Sequence, residues 1–538
     1  MQERHPLFGE ALLTACAAGA VAAILAWLGP PGTDLAAHAY QRTLFLQHGF
    51  TLWNNFWYAG RYSFITYSLI YYPLAALLGI KVLAVATIAV AALAFAAVVW
   101  HEWGPATRWS SRSFGVVWAG IVITAGFPFA LGFALALLSL WALQARARWR
   151  FAGLALLALA ASPLAFLLLA IVLAAIALGR HVSWQSSWMP LAVVTLAGLG
   201  GILVWRLFPD SGRYPFHTGD ILAGSAFCLV GLALTWRVER ARVLRFFFAV
   251  YLVAMIVAYA VPSQLGGNIE RLRFIAIPLA VLVLALRHWR PLPVAVGAML
   301  LAVSWNVSPL AANYLQDRAD VTANASTWPA AIVYLEEHAA PQYRVEAVDT
   351  VGHWPAFYLA EANIPLARGW FRQDDFPENA VLYSKLGPDA YLRWLHSLGV
   401  GYVVLSSAPP DYSSAAEARL VRSGHTGLVS VFHTAKLTIY RVPKPQPILT
   451  GPGRPALLSL TESRLRLRVS RAGSYRIAVR YSPYWRVSDG CLSRGTDGML
   501  RLRTLGARSV ALVFRVDTAA LVDTLAGEAP DCRLRPRG

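Results

Sequence analysis

Between residues 10 and 306 the sequence is a succession of apolar runs, most of them about as long as a bilayer is thick. A helix needs roughly 20 apolar residues to cross the hydrocarbon core, and apart from a closed barrel no other fold satisfies its own backbone there. The runs 10–29, 81–100, 189–207, 219–235, 244–262, 272–287 and 291–306 each fit one helix. The runs 114–144 and 151–179 are too long for one straight helix, and each carries a central proline, Pro128 and Pro163. Each reads as two shorter helices joined by a tight turn, or as one long kinked helix. The stretch 63–80 reads as a further span or as a segment lying at the interface.

Composition agrees. The chain is 57% hydrophobic and 14% charged, where a water-soluble domain carries about 25% charged residues. The mean hydropathy of +0.50 averages two regimes. Residues 1–306 are rich in Ala, Leu and Val, whereas 307–538 have the mixed composition of a globular tail. The first run lacks a basic n-region and is followed by Gly-Pro-Pro-Gly, so it reads as a retained span and not a cleaved signal peptide. The net charge of +19 comes mostly from arginine. No nucleic-acid motif accompanies it, and many of the arginines fall in short loops between runs, where they set orientation and meet anionic headgroups.

Arginine counting gives a topology. The loops holding Arg108 and Arg112, Arg146, Arg148 and Arg150, Arg180, Arg237, Arg240 and Arg242, and Arg287 and Arg290 all become cytoplasmic in one scheme. That scheme splits both long runs, leaves 63–80 interfacial or re-entrant, and gives about 10–12 spans, an odd number, with the N-terminus inside. The loop 30–73, the loop from Asp210 to Asp220, Gly266-Gly267-Asn268 and the tail then share the outer side.

The tail divides into two expected domains, 307–442 and 448–538, after a membrane domain at 1–306. Residues 328–345 read as helix then strand, and 391–405 as a helix passing through Gly399 into a buried strand, a small α/β unit. Pro443-Lys444-Pro445-Gln446-Pro447 marks a linker. Beyond it 464–469, 474–481, 499–504 and 509–516 alternate apolar and polar residues between turns, which predicts an antiparallel β-sandwich. Of four cysteines, Cys16 and Cys228 fall inside spans. Cys491 and Cys532 form a disulfide if the tail is extracytoplasmic.

Candidate chemistry gathers on the outer side. Asp34 sits where the first span leaves the bilayer, a costly place for a carboxylate that the fold does not use. It equally suits the N-cap of a helix starting at Leu35. His38 lies one turn on, four residues away, and can orient Asp34 or touch a phosphate; Arg42 continues that face. Trp53, Trp57 and Tyr58 fit an interfacial aromatic belt. Glu270, Arg271 and Arg273 stand at the mouth of the 272–287 span, on the side where topology does not call for arginine. Arginine grips phosphate through two nitrogens at once; an interfacial salt bridge is the alternative. Asp210, Arg213, Tyr214, His217 and Asp220 form a third polar loop. In the tail, Trp370 and Asp374-Asp375 follow His353-Trp354. Asn306-Val307-Ser308 and Asn324-Ala325-Ser326 match the glycosylation triplet, a short pattern with a high chance rate.

A first span, a long outer loop opened by an acid, its aromatic, Asn and Gly positions and a proline-led hydrophobic segment together resemble the GT-C superfamily of membrane glycosyltransferases. The resemblance implies a sugar donor linked to polyprenyl phosphate and a cell-envelope glycan or glycolipid as acceptor. It implies Asp34 as catalytic base, with His38 beside it. Arg271, Arg273, Glu270 and Arg61 would hold the donor phosphate. Tyr214, His217, Trp370 and Asp374 would face the acceptor. Many members carry two adjacent acids where this chain has Asp34-Leu35, which leaves a single carboxylate for a divalent cation, a hard ion that wants several oxygens. A plasma-membrane location with extracytoplasmic tail domains follows. A non-catalytic scaffold and a lipid transporter are the alternatives; against the transporter, the sequence shows neither charged residues pairing deep within mid-chain spans nor an inverted repeat, both common in that class.

Overall fold

The structure, a computed structural model, describes residues 4–180, 184–209, 212–339, 341–527 and 532. The chain forms two compact units. The first takes Met1–Leu35, Tyr67–Ile202 and Arg213–Arg318; the second takes Ala36–Thr66, Leu203–Gly212 and Ala319–Gly538.

The helices up to residue 319 are α1 (Arg4–Leu28), α2 (Leu35–His48), α3 (Tyr71–Leu78), α4 (Ile80–Trp103), α5 (Arg108–Val117), α6 (Ile121–Thr124) and α7 (Phe127–Gln144). They continue with α8 (Arg148–Ala161), α9 (Pro163–Arg180), α10 (Trp184–Leu207), α11 (Thr218–Thr235), α12 (Arg242–Ala260), α13 (Ala276–Leu286) and α14 (Leu292–Ala319). Among the described residues eight helical stretches are long and apolar enough to cross a membrane. The chain is a multi-pass membrane protein.

Both long runs break where the sequence places proline. Ala125 adopts the left-handed conformation (φ 51°), Gly126 follows, and Pro128 sits in the first turn of α7, where its missing N–H leaves nothing unsatisfied. Ser162 is extended and Pro163 opens α9. The segment 63–80 contains only the eight-residue α3, about 12 Å of helix against a core of about 30 Å, so it does not cross. With 14 and 11 residues, α8 and α13 are shorter than a full span, and the 45-residue stretch Ile80–Thr124 counts once although it covers two expected crossings; these account for the difference between the eight long stretches and the larger number expected. Helix α14 continues through Pro309 to Ala319, past the drop in hydropathy at 306, because Ala311, Ala312, Leu315 and Gln316 remain good helix formers.

The second unit carries β1 (Trp53–Asn54), β2 (Arg61–Tyr62), β3 (Arg344–Ala347), β4 (Val400–Ser406), β5 (Val429–His433) and β6 (Leu437–Arg441). Its later strands are β7 (Leu449–Thr450), β8 (Ala456–Leu460), β9 (Arg464–Val469), β10 (Gly473–Arg480), β11 (Trp485–Val487), β12 (Cys491–Arg494), β13 (Met499–Thr504) and β14 (Arg508–Phe514). The α/β part is a four-stranded sheet ordered β3-β4-β6-β5, with β3 and β4 parallel. The helix before β4, α15 (Pro388–Leu398), ends on Gly399 at φ 76° as expected. Two further sheets, β12-β13-β10-β7 and β11-β14-β9-β8, bury their inner faces in one core that includes Leu465, Leu467, Ile477 and Leu502. The predicted sandwich is present, and Cys491 is bonded to Cys532.

Candidate functional site

In the membrane unit Asp34 is held by its backbone. A Cβ on Gly32 would lie 2.4 Å from the Val122 carbonyl oxygen, so only glycine brings the chain this close to α6. The contact lets the Thr33 and Asp34 amides donate to the carbonyls of Ile123 and Thr124, each at 3.2 Å. Arg271 reaches the same turn from a 3₁₀ helix, Gly266–Ile275. Its Nη1 would lie 2.9 Å from a Cβ on Gly126, and its guanidinium stands 5.2 Å over the Phe129 ring. Nη2 donates to Asn268 Oδ1 at 3.5 Å. Tyr67 senses both charges: burial raises its phenol well above the ordinary value, Arg271 opposes this, and Asp34 adds to it. An acid, a neutral phenol and a guanidinium therefore share one neighbourhood above the 124–126 turn.

A second carboxylate enters from far along the chain. The Thr33 hydroxyl donates to Asp317 Oδ2 at 3.1 Å, and Asp317 is a buried residue of the last turn of α14. A second carboxyl group thus touches the residue before Asp34, from 284 positions along the chain.

Glu270, Arg273 and Tyr214 form the adjoining group. Gly266, at φ 38°, lies so close to the Tyr214 carbonyl that a Cβ would be 2.0 Å from its oxygen. The Tyr214 amide donates to the Ser263 carbonyl at 2.9 Å, and the Gly267 amide to the Pro215 carbonyl at 3.3 Å. The 213–216 loop is thereby laid on the arginine-bearing segment. Burial pushes the Glu270 carboxyl up to about 7, Asp220 pushes the same way, and Arg273 opposes them. His217 is exposed at the start of α11. Asp210 falls outside the described residues. Asn306 is buried and donates to the Arg273 carbonyl at 2.6 Å, so it is a structural amide and no glycan acceptor; Asn324 is exposed.

Below this group the unit contains an apolar cavity of about 340 Å³. Leu272, the neighbour of Arg271, lines it, as do Phe133 and Phe247; Glu102 and Arg180 line it too, and these two pair with each other.

The other sequence candidates belong to the second unit, where they are closed against one another. His38 is buried in α2, its ring edge-on to Trp370 at 5.6 Å. Arg61 Nε donates to Asp374 Oδ2 at 2.5 Å and its guanidinium lies 3.7 Å from the Phe371 ring centre. Arg61 and Asp374, read above as phosphate-binding and acceptor-facing, are thus partners, and both are buried. They border a larger ionic network. Arg368 bridges Glu346 (2.8 Å) and Glu417 (2.6 Å); Arg372 joins Asp349 and Asp411, and His353 donates to Asp349 at 2.7 Å. Burial alone would raise the Asp349 carboxyl, but His353 and Arg372 outweigh it and hold it far below the usual range. Burial would lower His353, and Asp349 outweighs that in turn.

Sequence reading passed over Tyr67 and Asp317. Neither carries a local signal: Tyr67 is one aromatic residue among many in its loop, and Asp317 lies beyond the end of the apolar run. Among the described residues no group of three or more His, Cys, Asp or Glu side chains is placed to hold a metal ion.

No protein-family model matches the chain, and no curated protein matches it. Solved structures of the arabinofuranosyltransferase AftD from mycobacteria do. One is 17% identical over 80% of this chain and 40% of that one, with a TM-score of 0.46. Two classes of an AftD arginine-to-serine mutant also match. The first is 17% identical, covers 80% and 41% of the respective chains, and has a TM-score of 0.47. The second is 13% identical, covers 94% and 60%, and has a TM-score of 0.48. The chain spans about two fifths to three fifths of the length of the AftD structures it matches.

Proposed function

We propose that this protein is a GT-C-type membrane glycosyltransferase that moves a sugar from a polyprenyl-phosphate donor to a cell-envelope glycan or glycolipid. The observation that carries this reading is the meeting of Asp34, Tyr67 and Arg271 above the 124–126 turn. In the reaction the acceptor hydroxyl oxygen bonds to the anomeric carbon as the bond from that carbon to the phosphate oxygen breaks. The hydroxyl proton passes to the Asp34 carboxylate, the phosphate leaves with the bonding pair, and the configuration inverts. Arg271 meets the charge that builds on the leaving phosphate, and a bidentate guanidinium is suited to that task. The Tyr67 phenol, held neutral, can donate to the same oxygens. Asp317, held by the Thr33 hydroxyl, places a second carboxyl group on the Asp34 side. The apolar cavity that begins at Leu272 suits the first isoprene units of the donor. The face bearing Asp34 is the outer one by the arginine distribution.

Purified protein incubated with a panel of polyprenyl-phosphate sugars and envelope glycan acceptors, in EDTA and in magnesium, tests the proposal. Product formation with wild type and its loss in Asp34→Asn is the expected result. Turnover that survives in Asp34→Asn removes the assigned base, and an inert wild type across the panel favours the scaffold.

A further inference from the structure

Residues 448–538 hold sixteen arginines, no lysine and seven acids, so this stretch supplies nearly half of the chain's net +19. Three of the arginines are set in one line. Along β9 the residues alternate, with Leu465, Leu467 and Val469 buried in the sandwich core and Arg464, Arg466 and Arg468 exposed. Strand geometry puts the three side chains roughly 6.8 Å apart. Their neighbours on the flanking strands are small and neutral: Val513, Ala511 and Ser509 on β14, Ser459 and Ala456 on β8.

Four of the seven acids of this stretch are paired elsewhere. Arg476 and Arg501 share Asp497, Arg486 takes Asp517, and Arg508 takes Asp489. Glu462, two residues before the row, pairs with His48 at 3.1 Å. Among the described residues the three arginines of β9 make no ion pair. Protection of a sheet edge does not account for them, because β9 lies inside the order β11-β14-β9-β8. Ordinary solubility does not either, since soluble surfaces intersperse both signs. At one end the field continues through the exposed Arg454 and Arg471, whose segments meet where the Arg454 amide donates to Ser470 Oγ.

We infer that the outer face of β9 binds a linear acidic polysaccharide, with the carboxylates of successive uronate residues laid along Arg464, Arg466 and Arg468. A guanidinium receives a carboxylate through two parallel hydrogen bonds. The row is one-dimensional and its floor is flat, which suits an extended chain. A lipid surface would call for aromatic or long apolar side chains that insert beside the charges; the outward positions of β9 and β14 carry none, and Leu458 at the β8 bulge is the exposed apolar side chain nearby. Nucleic acid would call for aromatic stacking platforms, also absent from these positions.

The test uses the full chain in detergent, with a labelled oligogalacturonate as probe and a neutral dextran of equal length as control, read by fluorescence anisotropy. Wild type is expected to bind the acidic probe, more weakly as salt rises, and to ignore dextran. The triple substitution Arg464→Gln, Arg466→Gln, Arg468→Gln is expected to weaken binding by about tenfold or more; Arg466→Gln alone serves if the triple variant does not fold. Removing equal charge from another surface, with Arg393→Gln, Arg419→Gln and Arg422→Gln, should change affinity less than about twofold. Unchanged affinity in the β9 variant overturns the proposal. So does an equal loss in the control, which would make net charge the cause. Capture of phosphatidylglycerol vesicles that depends on the three arginines, without oligogalacturonate binding, would make the face a lipid contact and overturn it as a glycan site.

Discussion

The two units hold their charges in opposite ways. In the second unit Arg368 is 3% exposed and lies between two glutamates that are fully buried, while Arg372 is locked among Asp349, Asp411 and His353. In the membrane unit Arg271 is partly exposed and donates to a neutral amide, beside a partly exposed Asp34. The first arrangement satisfies its ions against each other in a dry interior, where one missing partner leaves a charge stranded. The second leaves a carboxyl group and a guanidinium partly exposed, the arrangement that the proposed reaction needs. Closed networks report on folding and presented charges report on chemistry, and the substitutions below separate the two.

The largest effect should come from breaking the closed network. Arg368→Ala leaves Glu346 and Glu417 facing each other without a cation, and a cost of about 3–5 kcal/mol is expected. The detergent-solubilised variant should lose its cooperative melt or fail to accumulate. A melting temperature equal to wild type would show that the network is not essential to the fold.

Asp34→Asn should do the reverse. It removes a proton acceptor while keeping shape, so turnover is expected to fall by about 10²–10⁴-fold with the melting temperature unchanged. A loss of stability comparable to that of Arg368→Ala would class Asp34 with the structural acids.

Arg271→Ala should cost about 1.5–3 kcal/mol of transition-state binding, on the order of 10–100-fold in kcat/KM. Arg271→Lys should recover only part of it, because a point charge cannot bind two oxygens at once. Full recovery by lysine would mean that charge alone is needed there.

How much of this was legible depended on whether the signal was local. The breaks at 125–126 and 162–163 were readable because Pro128 and Pro163 act on their own neighbours. The strand β9 was readable from its period of two. Asp34 stood out because a carboxylate next to an apolar run is visible in a few residues. Asp317 did not, since its relation to Thr33 exists only after the turn between α1 and α2 and the last turn of α14 are brought together. The partnership of Arg61 with Asp374 was hidden for the same reason: more than 300 residues separate two side chains that each look like a binding group alone. Buried ion pairs imitate active sites in sequence, because both need rare charged residues among aromatics.

Glu270 offers the smallest effect and the finest cut, because it lies between the two classes: buried like the network, yet beside Arg271. Its carboxyl is raised to about 7 from an ordinary value near 4.5, with burial the first cause. Between these values the folded state holds a proton that the unfolded state has released, so this group makes stability fall as pH climbs from about 4.5 to 7. Below that window both states are protonated and it contributes nothing; above it the full penalty remains. Glu270→Gln removes the penalty, and the variant should be more stable than wild type at pH 8 by on the order of 1–3 kcal/mol, with the gap closing toward pH 4.5. Chemical denaturation at several pH values measures this. A gap that stays constant with pH would show that Glu270 keeps its charge on folding, which would place it with the paired acids of the second unit. If the gap closes as expected while turnover of the Glu270→Gln variant keeps the wild-type pH profile, Glu270 shapes the mouth of the site without taking part in proton transfer.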